Sequence, residues 1–268
     1  MKTESPLWAI GYIVIFLAIN SATILAATLI ARMAGIQLSA TVTIIATAVS
    51  SIATIALFTA ARWAPVPLRS CVDMIAHKWI VLAWCAVCAI GAVIPSLFIQ
   101  GLLPSWPDAI QEYIDQAEAM AAQLMSTRGG YAVVCLLVPV AEEVVFRGAV
   151  LRTLLAWQPQ HRWAMIALSA LLFAAAHLNP AQLIHPFVIG LLLGWLYERT
   201  GSIVPGVVYH WANNTVAYLL FHFYADPSVT LTDIFGSPLR AVMAVFFSLL
   251  IIVPAIYQLN IHCTSDQA

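Results

Sequence analysis

Val138-Pro139-Val140-Ala141-Glu142-Glu143-Val144-Val145-Phe146-Arg147-Gly148 places two carboxylates and a guanidinium inside an apolar run that extends from about 131 to 155. Ionisable side chains in such a run are expensive to bury and mark a functional site by default. On a helix, residues four apart share a face roughly 6 Å apart along the axis, and Glu N-terminal to a cation is the favourable order. Glu143 and Arg147 stand in that relation. Glu142 points about 100° round the helix from Glu143 and has no local partner. The spacing therefore nominates Glu142 as the working carboxylate and Glu143 with Arg147 as its scaffold. A Glu–Arg pair that only fixes helix packing would account for the second and third of these residues and leave the first unexplained.

The surrounding composition is that of a membrane protein. Of 268 residues, 62% are hydrophobic and 9% charged, and the mean hydropathy is +0.93, far above a soluble domain. A net charge of −1 with scattered Lys and Arg offers no surface for nucleic acid. The partner that this composition implies is the lipid bilayer. Five cysteines, Cys71, Cys85, Cys88, Cys135 and Cys263, are an odd number lying largely in apolar runs, so no disulfide framework is indicated. Cys85-Ala-Val-Cys88 has redox or zinc spacing, but it sits mid-span beside Trp84 without a second pair and reads as two small core residues. Cys263 is too far from the end of the sequence to belong to a prenylation box.

Apolar runs long enough to cross a bilayer core of about 30 Å occur near 7–31, 38–61, 79–103, 131–155, 202–223 and 241–259. Two shorter runs, about 163–178 and 181–197, bring the expectation to eight spans. Asn179-Pro180 separates that pair as a turn, and Pro186 falls in the first turn of the helix that follows. The run that begins at Leu7 is longer than a signal-peptide core and reads as an uncleaved first span. Ser105-Trp-Pro-Asp108 resembles a capped helix start, and Ile110, Tyr113, Ile114, Ala117, Ala121 and Leu124 follow at helical spacing. That segment is expected to be an amphipathic interfacial helix ended by Gly129-Gly130, a lid or a brace. The fold class is thus all-α, a polytopic bundle of about eight transmembrane helices with one amphipathic helix. Residues 1–268 read as a single integral membrane domain, with 131–224 as its motif-bearing core.

Lys2, Arg62, Arg69, Lys78, Arg147, Arg152, Arg162 and Arg199 fall on one side in alternating loops, against Arg32, Arg128 and Arg240 on the other. By the positive-inside rule both termini are expected to be cytoplasmic; the membrane itself is expected to be a bacterial inner membrane, which the rule does not decide. The opposite loops hold Asp108, Glu112, Asp115, Glu118, Asp226 and Asp233, which contribute little to orientation.

Two more polar sets interrupt later apolar runs. Phe173-Ala-Ala-Ala-His177 stacks an aromatic beside a histidine, and His210-Trp-Ala-Asn-Asn214 puts a histidine and an amide on one face. A lone membrane histidine is most often a hydrogen-bond partner between helices. Three polar clusters on three spans shift that balance, because such side chains face the bundle interior and can share one cavity. A carboxylate and a histidine facing a water supply a general base and a proton shuttle, while a second histidine and an asparagine supply donors to an oxyanion. Glu142, His177 and His210 are equally acceptable zinc ligands that would leave a position open for water. The cofactor is therefore left open between none and zinc. Asn214 tilts the reading toward none, since an amide is a poor zinc ligand and a good oxyanion donor. The remaining histidines read as loop or interface residues (His77, His161, His262) or as span-end residues (His185, His222), with His185 beginning the helix after His177.

At these residues the chain resembles the CPBP intramembrane proteases, the family of CAAX prenyl endopeptidases and of Abi-like bacterial relatives linked to bacteriocin processing and self-immunity. The family pattern is Glu-Glu-x-x-x-Arg, then Phe-x-x-x-His, then His-x-x-x-Asn or Asp. All three are intact here in that order, between about 131 and 224. The resemblance implies that Glu142 and His177 activate water, His210 and Asn214 stabilise the oxyanion, and Glu143, Arg147 and Phe173 support the site. It implies hydrolysis near the carboxy terminus of a membrane-associated or lipidated CAAX-like peptide or a bacteriocin-type precursor, by a glutamate-dependent or metallo-type mechanism. Other membrane proteases are disfavoured: there is no His-Glu-x-x-His, no Gly-x-Ser-x-Gly and no Gly-Asp pair. Two other classes compete. A proton-coupled transporter would also bury Glu and His, but it would be expected to show paired broken spans in two related halves. A non-catalytic scaffold or immunity protein would have no use for the complete polar set.

Overall fold

The computed structural model describes residues 5–37, 39–103, 106–224 and 230–263, without the side chains at 68 and 69. Lys2, the Ser105 cap, Asp226 and the Arg69 side chain, all used in the sequence reading, lie outside the described residues, as does the tail after Cys263. The described chain is helical, with no strand among the described residues. In order, α1 is Pro6–Met33, α2 Ala40–Ala60, α3 Leu68–His77, α4 Trp79–Gly101 and α5 Asp108–Ser126. We take residues 131–157 as one continuous helix, α6, followed by α7 (Arg162–Ala175), α8 (Ile184–Thr200), α9 (Val204–Tyr224), α10 (Leu231–Phe235) and α11 (Pro238–His262).

Helix ends follow from local chemistry. Ser5 and Ser39 cap α1 and α2 by accepting from Leu7 N and Val42 N, each satisfying a donor that the first turn leaves open. Ser237 does the same for α11, with Pro238 in the first position, where its missing N–H costs nothing. Gly201, at φ +64°, ends α8 in the left-handed conformation that glycine alone takes freely.

Among the described residues, five helical segments are long and apolar enough to cross a membrane: α1, α2, α4, Pro180–Thr200 (which contains α8) and α11. The other three expected spans coincide with α6, α7 and α9, which fall short of that standard for identifiable reasons. α6 carries Glu142, Glu143, Arg147 and Arg152. α7 has 14 residues, a rise of about 21 Å. α9 carries His210, Asn213, Asn214 and His222 in an otherwise apolar helix. These are the three segments that bear the motifs. Two helices, α3 and α10, were not anticipated.

In lipid, helices associate through van der Waals packing and close approach rather than by escape from water. α7 and α8 form a tight hairpin in which a Cβ added at Gly190 would lie 2.9 Å from Cβ of Ala170, so only a residue without a side chain allows that approach. Two buried clusters result. Tyr12, Phe58, Val145, Phe146 and Phe173 join α1, α2, α6 and α7; Cys85, Cys88, Leu193, Tyr209 and Leu259 join α4, α8, α9 and α11. The outer face of α11 exposes Phe246, Phe247, Leu250 and Val253, as a lipid-facing helix would. The amphipathic helix is present as α5, beginning at Asp108 after Pro107. It buries Ile114, and the Tyr113 hydroxyl donates to the Leu178 carbonyl at 2.8 Å.

Candidate active site

Helix α6 is not a uniform α-helix. Tyr131–Leu137 and Val144–Leu151 are wound as π-helix, flanking a short α segment, Val138–Glu143. The N–H of Val138 reaches five residues back to the Val133 carbonyl, and that of Arg152 reaches back to Arg147. Pro139, which has no N–H to give, sits just where the first wide stretch closes up. Local π winding is rare and concentrates at functional sites; here it brackets Glu142 and Glu143.

The scaffold pair expected from spacing is made. Arg147 Nη1 donates to Glu143 Oε1 at 2.8 Å, with both residues essentially closed to solvent. The guanidinium also donates to the Gly190 carbonyl from α8 at 3.4 Å and lies over the Phe173 ring, 4.5 Å from its centroid. One side chain thereby ties α6 to α7 and α8. Phe173 makes edge contacts with the rings of Phe146 (5.0 Å), His177 (5.0 Å) and His210 (6.1 Å), a wedge around which both histidines are set. Gly206, in the first turn of α9, faces Glu143 so closely that an added Cβ would run into Oε2.

Glu142 finds its partner across the bundle. His210 stands between the two carboxylates, with Nε2 3.6 Å from Glu142 Oε2 and Nδ1 3.8 Å from Glu143 Oε1. Carboxylates only accept, so either approach calls for a proton on the facing ring nitrogen. α9 is held in this position against the start of α6. Trp211 Nε1 donates to the Tyr131 hydroxyl (3.0 Å), which meets Thr215 (3.3 Å), and Asn214 Nδ2 donates to the Val134 carbonyl (3.1 Å).

His177 lies just beyond α7, in a turn that its neighbours enforce. Leu178 adopts a positive φ of 53°, Asn179 is extended as a residue before proline must be, and Pro180 follows. The Asn179 side chain accepts from Ala181 N at 3.0 Å. His177 Nδ1 contacts the Phe173 carbonyl at 2.9 Å; a carbonyl only accepts, so Nδ1 carries a proton, and in the neutral ring Nε2 is the nitrogen that keeps a lone pair.

A cavity of ≈ 300 Å³ opens between α4, the 177–186 turn and α9, with Phe173, His177, His185, His210, Asn213 and Asn214 on its wall. Three of the four expected catalytic residues therefore share it. Glu142 does not line it and reaches it through His210, and no ion-pair contact joins Glu142 to His177 among the described residues. Asn214 is partly engaged, giving one amide proton to Val134 and accepting from Asn213 Nδ2 at 3.4 Å. Two wall residues are not among the expected site residues. Asn213, buried and with an unpartnered Oδ1, hid behind the stronger His-x-x-x-Asn spacing. His185 joins the cavity because the turn at Asn179 folds the start of α8 back toward His177. As for zinc, no three His, Cys, Asp or Glu side chains among the described residues stand close enough to share an ion. The Glu142, His177, His210 set is not assembled for one in this arrangement.

No curated protein and no solved structure gives a match to the chain. Residues 126–216, the stretch that carries all three motifs, match the family of Rce1-like type II CAAX prenyl endopeptidases.

Proposed function

We propose that this chain is an intramembrane endopeptidase that hydrolyses a peptide bond near the carboxy terminus of a membrane-associated or lipidated substrate, CAAX-like or a bacteriocin-type precursor. We take the whole chain as one membrane domain with 131–224 as its working core. The observation that carries this reading is His210 of α9 set between Glu142 and Glu143 of α6 at the edge of a cavity that gathers histidines and amides, inside a bundle that is otherwise apolar.

The chemistry follows from what each group can do. Glu142 takes a proton from water, and the hydroxide adds to the scissile carbonyl carbon. The oxygen of that carbonyl gains the negative charge, and N–H donors of His210 and Asn214 stabilise it. His177, on the cavity wall, shares the incoming proton. That proton then passes to the amide nitrogen, the C–N bond breaks, and a carboxylic acid and an amine leave, the acid giving its remaining proton to the amine or to water. Glu143 and Arg147 touch no reacting atom in this scheme; they hold α6 and position His210 from its other side.

Membranes carrying the wild type and Glu142→Gln, compared by mass spectrometry of peptide termini, test the reading. New termini near the ends of membrane-associated proteins are expected with the wild type alone. A general base supplies about 10²–10⁴ in rate, so the variant should be at background. Identical termini from both would overturn the assignment.

A further inference from the structure

We propose that His185 is a specificity-determining residue that reads the terminal carboxylate of the substrate, an inference that rests on the endopeptidase reading. His185 is the third histidine of the cavity and the one that the hydrolytic steps leave unused. Its side chain makes no hydrogen bond among the described residues. It also borders a second space, an apolar groove of ≈ 550 Å³ between α4, α8 and α11, and so stands between the cavity that holds the histidines and amides and one that is almost wholly apolar.

The contents of the cavity select the ligand. Among the described residues its wall carries no Lys or Arg, yet a peptide end brought into an apolar bundle needs a donor for its carboxylate. His177 and His210 are committed to the reacting bond. Gln100 and Gln182, on the same wall as His185, are neutral donors that can complete the set. At ≈ 300 Å³ the cavity is at the small end of ligand pockets, which suits the end of a chain better than a passing helix. The backbone adds to the same preference. α8 begins at Ile184 with no side-chain cap, and Ile184, His185 and Pro186 of its first turn line the cavity, so the positive end of the helix faces the proposed carboxylate.

The probe is a quenched peptide with an S-farnesyl cysteine four residues from its end, made as the free acid and as the terminal amide, offered to the full chain in lipid nanodiscs. The wild type is expected to favour the acid roughly tenfold or more in kcat/KM, the effect of one charge-assisted hydrogen bond. In His185→Ala the acid-to-amide ratio falls to near one, and His185→Lys restores it without an imidazole. A ratio unchanged in His185→Ala, or unchanged while both rates fall, overturns the proposal. Equilibrium binding of the same two peptides to Glu142→Gln protein separates the two readings. Tighter binding of the acid, lost when His185→Ala is added, supports the role of His185 even if the wild type cuts neither peptide. Equal binding of acid and amide sinks the proposal even if it cuts both.

Discussion

Glu143 and Arg147 have no route to water, so removing either strands the other as an uncompensated charge, at a cost of about 3–5 kcal/mol. Glu143→Gln and Arg147→Ala should therefore lower folded yield and the thermal midpoint in detergent. Glu142 is different: its side chain keeps 16% of its exposure, and Glu142→Gln should leave the midpoint near that of the wild type while removing cleavage. Equal losses of stability in all three would reverse the division of roles. Gly206→Ala belongs with the first pair, because its Cβ would displace the Glu143 carboxylate from Arg147; an unshifted midpoint would mean that α9 can yield there at little cost. What was readable at this scale was whatever lay four residues apart on one helix: Glu143 with Arg147, Phe173 with His177, and His210 with Asn214. The contact between Glu142 and His210 was not readable, because it depends on how α9 docks against α6 through Tyr131, Thr215 and Trp211.

The turn after α7 positions His177 through an unfavourable backbone. Leu178 is left-handed at φ 53° and 63% exposed, a conformation that costs an L residue roughly 1–2 kcal/mol and that its side chain does little to offset. Leu178→Gly should hold or slightly raise the thermal midpoint, and Leu178→Val, branched at Cβ, should lower it; a valine variant as stable as the wild type would show that the turn is free to relax. On α5, burial and the nearby Asp115 carboxylate raise the Glu118 carboxyl above its ordinary range. A raised folded value means that protonation favours the fold, so the cost of the charge is absent below the unfolded value and grows as pH rises through the folded one. Glu118→Gln should thus raise the midpoint at pH 7 and leave it unchanged at pH 4. A gain of the same size at both values would place its origin elsewhere. The long apolar helices were legible from composition alone, whereas the π winding of α6 and the short helices α3 and α10 were not. Hydrogen-bond register leaves no trace in residue type, and ten residues of α3 are too few for a periodic pattern to stand out.

Across the whole bundle, side-chain contacts sort the loops into two ends. Arg152 donates to the Trp63 carbonyl (3.4 Å), Arg162 pairs with Glu198, and Arg199 meets Asn260 (3.3 Å), so one end gathers most of the basic residues. The other end joins Tyr113 to Leu178 (2.8 Å) and Tyr131 to Thr215 (3.3 Å), and Arg32, Arg128 and Arg240 lie toward it. Positive loops stay cytoplasmic, and on that rule we propose that the first end faces the cytoplasm, an orientation in which eight crossings would return both termini to the same side. The cavity belongs to the second end, since Leu103, Gln182 and Ile184 form part of its wall. Its mouth would then face away from the cytoplasm, and a substrate would reach Glu142 from the outer leaflet. The test uses single cysteines in a Cys71→Ser background, at the exposed positions Leu178 and Gln160, with a maleimide that cannot cross the membrane of intact cells. Leu178→Cys should label before lysis and Gln160→Cys only after it. The opposite pattern would turn the bundle over, bring the cavity to the cytoplasmic leaflet, and make substrates anchored there by a lipid the ones that reach it directly.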